Sequence, residues 1–393
     1  MQTKNYKRTL IGCFFGITNQ AVITNVTALL FVPFMTLYGF DLFQSGLLIG
    51  INFLAQTCAD VILSFFIDKI PFRKIVLTAS SLSALGLIMF GILPFFVPAQ
   101  HMFLAMAVAT VIFASSSGML EVTLSPIVDN IPESEGAKGP AMSLMHSFYA
   151  WGQVFCILFT GIGLLAFGYG SWNYLILGLS LIPIITIGIF RNAPLDKKPC
   201  SNDTKQKFGM ILSPFFIAAI IAIFTGGISE VVMNQWVSTF VVTSLGYSKA
   251  TADLVGMCLF AVFLGLGRAL YGKFGEKYNI NKTLIIGATV SFVFYVIVGA
   301  EISPVITLVA SILCGFSVSL LWPGTLVVAS RKYPRAGAWL FAALAIAGDV
   351  GGSVGPGVTG ALAENIGFGG AFLLISAAPL ICLICHLFMY KKG

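Results

Sequence analysis

Charged residues are scarce in this sequence. Asp, Glu, Lys and Arg supply 9% of its 393 residues, and hydrophobic residues supply 58%. A soluble domain has roughly 25% charged residues, because its surface must face water. The mean hydropathy of +0.95 is correspondingly high. The scarcity excludes an ordinary soluble protein and indicates a chain whose outer surface faces lipid.

The sequence also lacks the features of an enzyme, an ATPase or a disulfide-stabilised protein. It shows no paired catalytic groups, metal-ligand cluster or His-rich loop, and of its eight cysteines only Cys200 lies in a polar stretch. The segment from Gly267 to Phe274 resembles a phosphate-binding loop, but Phe274 replaces the required Ser or Thr. We therefore predict a protein that is not an enzyme and has no metal or cofactor. Without an ATP site, its energy must come from an ion gradient, for which a proton gradient is our choice, or from the gradient of its own substrate.

Long apolar segments fill the chain instead. A helix needs about 20 apolar residues to cross the hydrocarbon core of a membrane. Cutting the chain at its polar breaks predicts spans at 10–38, 44–68, 75–97, 101–129, 140–167, 171–190, 209–243, 250–275, 283–300, 304–329, 336–363 and 367–389. The predicted fold is an all-α membrane protein of twelve transmembrane helices in two six-helix bundles.

The basic residues predict the orientation of these spans. If the N-terminus is cytoplasmic, all but two of the 22 Lys and Arg residues fall in cytoplasmic segments. The exceptions are Lys249, in an outer loop, and Arg268, inside a span. Such a bias follows the positive-inside rule. We therefore predict a multi-pass cell-membrane protein with both termini in the cytoplasm. The net charge of +7 is then no sign of nucleic-acid binding.

The two halves of the sequence are related by a repeat. The predicted domains are an N-terminal bundle, 1–190, a cytoplasmic linker, 191–208, and a C-terminal bundle, 209–393. At an offset of 208 residues, Asp60 aligns with Arg268, and Lys69 aligns with Lys277. Parallel six-helix repeats are the plan of two-domain secondary transporters.

The segment Asp68-Lys69-Ile70-Pro71-Phe72-Arg73-Lys74 resembles the loop between the second and third helices of the major facilitator superfamily. The acid and the bases are kept, whereas Ser64 and Pro71 stand where the family has glycines. The resemblance implies the two-bundle fold and a loop that latches the two halves on the cytoplasmic side. Asp68 and Arg73 are therefore predicted latch residues.

The fourth and fifth spans resemble the fucose/glucose–proton symporter branch of that superfamily. The matching segments are Gly118 to Pro126, Pro132 to Ser134, and Leu144 to Gly152. The resemblance implies that Glu121 couples proton movement and that His146 contacts a sugar, with Tyr149 in the same segment.

Two positions depart from the branch pattern. Ser125 replaces the usual Asn, and the first helix lacks the carboxylate of the branch. That helix offers polar groups instead, of which Asn19 and Asn25 are predicted to contact substrate.

Glu121 and Glu230 stand out as acids inside spans. A charge at the centre of a bilayer costs roughly 2.5–3.5 kcal/mol, so each one needs a partner, a wet cavity or a function. We predict that both couple protons; the alternatives are a permanently paired Glu121 and a Glu230 that belongs to a polar helix end. Asn234 shares a helix face with Glu230, and Trp236 could supply a flat surface for a sugar ring. Glu230, Asn234 and Trp236 are therefore predicted to contact substrate.

A polar stripe on the second span repeats every four residues. It consists of Asn52, Gln56 and Asp60, and it must face the interior because lipid would leave its polar groups unsatisfied. We predict that Asn52 and Gln56 contact substrate. Arg268 needs a carboxylate, for which Asp60 and Asp349 are candidates. These three charged residues are predicted gating residues, although a static pair is an equal alternative.

The leading hypothesis is a monomeric, proton-coupled symporter of a small polar solute such as a sugar, embedded in the lipid bilayer. Alternating access would rock the two halves about a central site. The alternative is a proton-coupled antiporter that exports amphipathic or drug-like compounds, because the many Phe and Met residues could line an apolar cavity. A membrane-embedded enzyme or sensor is disfavoured by the lack of catalytic groups and of long loops.

Overall fold

The computed structural model describes residues 6–40, 42–131, 135–195, 209–243, 246–247 and 252–392. Within these ranges the secondary structure is helical. The helices of the first half are α1 (Tyr6–Leu29), α2 (Phe31–Tyr38), α3 (Leu42–Ser64), α4 (Phe72–Phe96), α5 (Met102–Asp129), α6 (Glu135–Phe167), α7 (Trp172–Leu179) and α8 (Leu181–Phe190). Those of the second half are α9 (Pro214–Thr243), α10 (Leu259–Phe274), α11 (Ile280–Ala300), α12 (Pro304–Val318), α13 (Leu321–Lys332), α14 (Ala338–Ile375) and α15 (Ala377–Lys392).

Twelve stretches of helix in the described residues are long and apolar enough to cross a membrane. This number confirms the predicted count. Two predicted features lie outside the described residues: the linker beyond residue 195 and the Pro132 to Ser134 part of the branch motif. A π-helical segment, Ala252–Cys258, precedes α10, which is shorter than the predicted eighth span.

Four of the predicted spans are each interrupted once in the structure. The interruptions fall at Leu30, Ser180, Leu320 and Ser376, and each lies three residues before a proline. Proline has no N–H for the carbonyl four residues earlier, and its ring clashes with that carbonyl. The breaks therefore have a local cause. Proline alone does not suffice, since α5 continues through Pro126.

The chain forms two compact units. One comprises the described residues of Met1–Ile131 and Phe148–Lys198, and the other those of Pro132–Ser147 and Pro199–Gly393. The first part of α6 therefore packs with the second unit, although the sequence assigns all of residues 1–190 to the N-terminal bundle. Helix α6 passes from one unit into the other at Phe148.

An aromatic cluster forms part of the core of the first unit. The ring of Phe34 on α2 lies edge-on to Trp172 on α7, with centroids 5.1 Å apart, and 6.0 Å from Phe90 on α4. The indole N–H of Trp172 donates to the hydroxyl of Tyr38 at 3.2 Å. The short helix α2 is thus held by rings from helices that are distant in sequence.

Glycines bring α9 and α14 into close contact in the second unit. A methyl group on Gly227 would lie 2.5 Å from the carbonyl oxygen of Gly348, and one on Gly351 would overlap the carbonyl oxygen of Phe224. Small residues allow helix backbones to approach in membranes, where packing rather than water exclusion drives association. Gly348 and Gly351, on either side of Asp349, therefore permit this close approach.

Replacing Gly351 with alanine should destabilise the second unit. The added methyl group must push α14 away from α9, and overpacking of this kind costs about 1–3 kcal/mol. We expect a lower midpoint of thermal unfolding in detergent, measured as the loss of monodispersity on size exclusion after heating. Gly357→Ala is the matched control, because no atom lies within 4 Å of its added methyl group. Equal midpoints for the two variants would contradict this account of the helix contact.

Candidate functional site

A buried ion pair joins two helices of the second unit. Arg268 on α10 donates through Nη2 to both carboxylate oxygens of Glu230 on α9, at 2.8 and 2.7 Å. The Arg268 side chain is 3% exposed and that of Glu230 is 13% exposed. Charge-assisted hydrogen bonds of this kind are about twice as strong as neutral ones.

Arg268 also binds two backbone carbonyls. Its Nε donates to the carbonyl of Ser319 at 2.8 Å, and its Nη1 donates to that of His146 at 3.2 Å. Ser319 lies four residues before Pro323, at the break between α12 and α13, so its carbonyl lacks the usual helical donor. An arginine keeps its proton in a protein. These carbonyls and Glu230 therefore stabilise a permanent charge away from water.

The first part of α6 packs against the same helix. The hydroxyl of Ser143 donates to the carbonyl of Arg268 at 2.8 Å. A methyl group on Gly272 would lie 2.8 Å from Cβ of Leu144, so the glycine allows α6 and α10 to approach. The side chain of His146 is buried. The site thus gathers residues from α6, α9, α10 and the break before α13.

The prediction that Asp60 or Asp349 pairs with Arg268 is wrong, because the partner is Glu230. Asp60 belongs to the first unit, where a methyl group on Gly118 of α5 would lie 2.6 Å from its Oδ1. Asp349 lies on α14, and its backbone carbonyl accepts a hydrogen bond from Ser353 at 2.7 Å. Sequence spacing cannot decide which faces of distant helices meet.

Trp322 is a candidate site residue that sequence analysis missed. Its half-buried indole on α13 packs against Gly348, where any larger residue would overlap the ring. Gly348 in turn contacts Gly227, which precedes Glu230 by three residues. A chain of contacts therefore links the indole of Trp322, through Gly348 and Gly227, to the helix that carries Glu230. The available signal was a tryptophan directly before Pro323, within a span.

The other predicted contacts near Glu230 have different surroundings. Asn234 is half-buried one turn further along α9. The indole N–H of Trp236 donates to the carbonyl of Pro356 at 3.0 Å, and its ring lies 5.4 Å from that of Phe368. Trp236 therefore helps to join α9 to α14. Its predicted role as a sugar platform gains no support from these contacts.

The stripe of Asn52, Gln56 and Asp60 is buried within the first unit, which confirms the predicted direction of this face. Asn52 donates to the carbonyl of Ile23 on α1 at 2.9 Å, and Gln56 accepts from Ser117 on α5 at 3.1 Å. These bonds join three helices. Substrate contact by Asn52 and Gln56 stays a prediction.

Four more predicted residues lie in the first unit. Glu121 is 9% exposed on α5, and Tyr149 is half-buried on α6. Asn19 is buried and accepts from Ser83 on α4 at 2.9 Å. Asn25 donates to the carbonyl of Ala21, one turn earlier, at 2.7 Å. Coupling and substrate roles of these residues stay predictions.

Arg73 binds the end of another helix in its own unit. It donates to the carbonyls of Phe190, Arg191 and Ala193, at 3.1 Å for Phe190 and 2.7 Å for Ala193. Basic side chains commonly satisfy the last carbonyls of a helix. Arg73 therefore caps α8, and its latch role, like that of Asp68 in the preceding turn, stays a prediction.

Residues 10–298 and 239–392 match the Major Facilitator Superfamily, so the match extends over nearly the whole chain. The chain belongs to the major facilitator superfamily. It is therefore a transporter and not an enzyme, as the sequence predicts.

Relatives in sequence and in structure carry different names. The chain is 24% identical to the "Multi-drug resistance efflux pump PmrA homolog" of Lactococcus lactis, over 100% of this chain and 97% of the relative. It is 22% identical to the "Multi-drug resistance efflux pump PmrA" of Streptococcus pneumoniae, over 98% and 97%.

Among solved structures, the fucose:proton symporter FucP of E. coli has a TM-score of 0.81 at 15% identity, covering 98% of this chain and 99% of that one. The proton:xylose symporter XylE has a TM-score of 0.78 at 13% identity, covering 98% and 95%. Likeness at such identities concerns the fold. The predicted fucose/glucose branch is therefore not confirmed.

Removing one partner of the ion pair should cost more stability than removing both. Glu230→Ala leaves the charge of Arg268 buried without its carboxylate, which typically costs about 3–5 kcal/mol. The double variant Glu230→Ala/Arg268→Met leaves no unpaired charge. We expect the double variant to unfold at a higher temperature than Glu230→Ala, measured by loss of monodispersity on heating in detergent. A double variant no more stable than the single one would show that the unpaired charge of Arg268 is not what destabilises Glu230→Ala.

Proposed function

We propose that this protein is a proton-coupled secondary transporter that moves a small polar solute across the cell membrane by alternating access. The observation that carries the proposal is the buried pair of Glu230 and Arg268. Ionisable groups inside a membrane bundle are costly and mark substrate or proton pathways. A carboxylate held by a fixed cation can change its contacts when it takes up a proton.

Proton uptake by Glu230 would release its hold on Arg268. The arginine would keep its charge but retain neutral carbonyl partners, those of His146 and Ser319, which compensate a buried charge poorly. A rearrangement that supplies another acceptor, from substrate or water, would then be favoured. Because α6 continues past His146 into the other unit, freeing its carbonyl offers a route from proton uptake to helix movement.

The cargo is inferred from the groups around this pair. His146, Asn234 and Trp322 provide polar groups and an aromatic surface, a combination that suits a solute with several hydroxyl groups. The fold shared with proteins named as fucose:proton and proton:xylose symporters is compatible with this cargo. Glu121, which the branch resemblance identifies as the coupling acid, is the second carboxylate in the proposal.

Export of amphipathic compounds by proton antiport is the second candidate. It is favoured by the relatives that match the whole chain, which are named as multidrug efflux pumps. The engagement of Trp236, Asn52 and Gln56 in helix packing also reduces the number of groups available for a sugar. In both candidates the protein is a monomer with both termini in the cytoplasm.

Uphill transport in proteoliposomes tests proton coupling. Under an inward proton gradient, wild type should accumulate the solute that it accepts from a panel of sugars and polyols. Glu121→Gln and Glu230→Gln should reduce accumulation to passive equilibration while they retain exchange of labelled for unlabelled solute, because an amide cannot carry a proton. Glu301→Gln, at the exposed residue after α11, is the control.

Each outcome of that assay has a defined meaning. Continued uphill accumulation by a Gln variant would exclude that glutamate as a coupling site. If no sugar or polyol moves but a lipophilic cation leaves against its gradient, the symport proposal fails and the antiport candidate replaces it.

Tryptophan fluorescence should locate the solute. We propose that a solute bound at the ion pair also contacts Trp322, so its addition should change the emission of wild type and of Trp236→Phe alike. Trp322→Phe should lose the response, while size exclusion shows that it stays folded. A response that disappears with Trp236→Phe instead would move the site to the contact between α9 and α14.

A further inference from the structure

An apolar groove lies between α3 and α5 on the outside of the first unit. It has a volume of about 740 Å³, and its lining includes Leu54, Cys58 and Ile62 from α3 and Val108 and Val111 from α5. The span that contains most of α3, Leu47–Ser64, is 28% buried, the lowest share among the twelve spans. The wall that α3 contributes to the groove is therefore largely exposed.

The chemistry of the groove suits a hydrocarbon chain better than an amphipathic solute. Leu54 is 66% exposed and Ile62 is 62% exposed along its wall. The hydroxyl of Ser115, which also lines the groove, already donates to the carbonyl of Val111 at 2.7 Å. A solute with polar groups would find few partners here, and desolvating a polar group without one is unfavourable. An acyl chain has no such requirement.

The length of the groove fits one leaflet. From Ile51 to Leu63 the lining follows α3 for about 18 Å, at 1.5 Å per residue. Half of a hydrocarbon core of roughly 30 Å is a similar distance. One acyl chain could therefore occupy the groove along its length.

Positive charge lies at one end of the groove. Its last lining residues, Phe66 and Ile70, flank the turn that contains Lys69, which is exposed, and Lys74 follows at the start of α4, also exposed. With Arg73 these bases outnumber the single acid, Asp68. The predicted orientation puts this end in the cytoplasmic leaflet, where anionic lipids attract basic residues near the membrane surface.

We propose that this groove binds one acyl chain of an anionic phospholipid, whose phosphate lies at Lys69 and Lys74. The opposite face of α3 carries Asn52 and Gln56, which bond to α1 and α5. The lipid would therefore support, from outside, the pair of helices α3 and α5 that the bond between Gln56 and Ser117 joins from inside.

Photo-crosslinking tests the proposal. The full chain is placed in nanodiscs of phosphatidylcholine with phosphatidylglycerol that carries a diazirine in its acyl chain. We expect crosslinks concentrated in residues 51–66 and 107–119, reduced about fivefold by Lys69→Gln. Lys277→Gln, at the exposed equivalent position of the second half, should leave them unchanged. Equal labelling by a phosphatidylcholine analogue, or an equal reduction by both variants, would overturn the proposal.

Cys58 provides a second measurement that needs no lysine variant. It lies in the groove and is the exposed cysteine among those in the described part of the chain. In a Cys200→Ser background, replacing phosphatidylcholine with phosphatidylglycerol should slow alkylation of Cys58 by N-ethylmaleimide about fivefold. Protection by a lipophilic cation instead would identify a substrate entrance, and a Cys58-linked dimer would identify a second copy. Either result would overturn the lipid site.

Discussion

The positive charge of Arg268 has to be stabilised inside a membrane-spanning bundle, and much of the second unit is arranged around this requirement. Its guanidinium binds Glu230 on α9, the carbonyl of Ser319 at a helix break and the carbonyl of His146 on α6. Pro323 leaves the carbonyl of Ser319 without a helical donor. The free carbonyl at this helix break is therefore one of the acceptors that the guanidinium needs. Through these bonds the Arg268 side chain joins α6, α9 and the break before α13 to its own helix, α10.

Both units contain buried polar groups that bond to other helices. In the first, neutral amides bond to a backbone carbonyl and a hydroxyl, as Asn52 and Gln56 do, and an aromatic cluster fills the core around Phe34. In the second, Arg268 and Glu230 form an ion pair, and glycines bring α9 and α14 into close contact. The aligned positions Asp60 and Arg268 carry opposite charges on related helices. Repetition of a fold therefore does not imply repetition of its chemistry.

The sequence identifies the charged residues of the site but not how they pair. Glu230 was recognisable because an acid inside an apolar span is costly, and the same reasoning identified Arg268. Their pairing was not recognisable, because α9 and α10 are joined by a segment that does not determine which faces meet. Trp322 was not predicted because placing a tryptophan in a membrane span is not energetically unfavourable, whereas placing a charge there is. Its importance depends on Gly348, a residue of another helix that leaves room for the ring.

Sequence alone determined the properties that depend on composition along the chain. Twelve spans follow from the hydrocarbon thickness, and the family follows from motifs of adjacent residues. Tertiary structure decided what depends on the rotation of one helix against another. Only the packed bundle shows that Arg268 meets Glu230 rather than Asp60, that Trp236 is committed to Pro356, and that the start of α6 packs with the second unit. Several rotations of a helix about its axis have similar energy when the helix is considered alone. Contacts between residues that are distant in sequence determine which rotation is adopted.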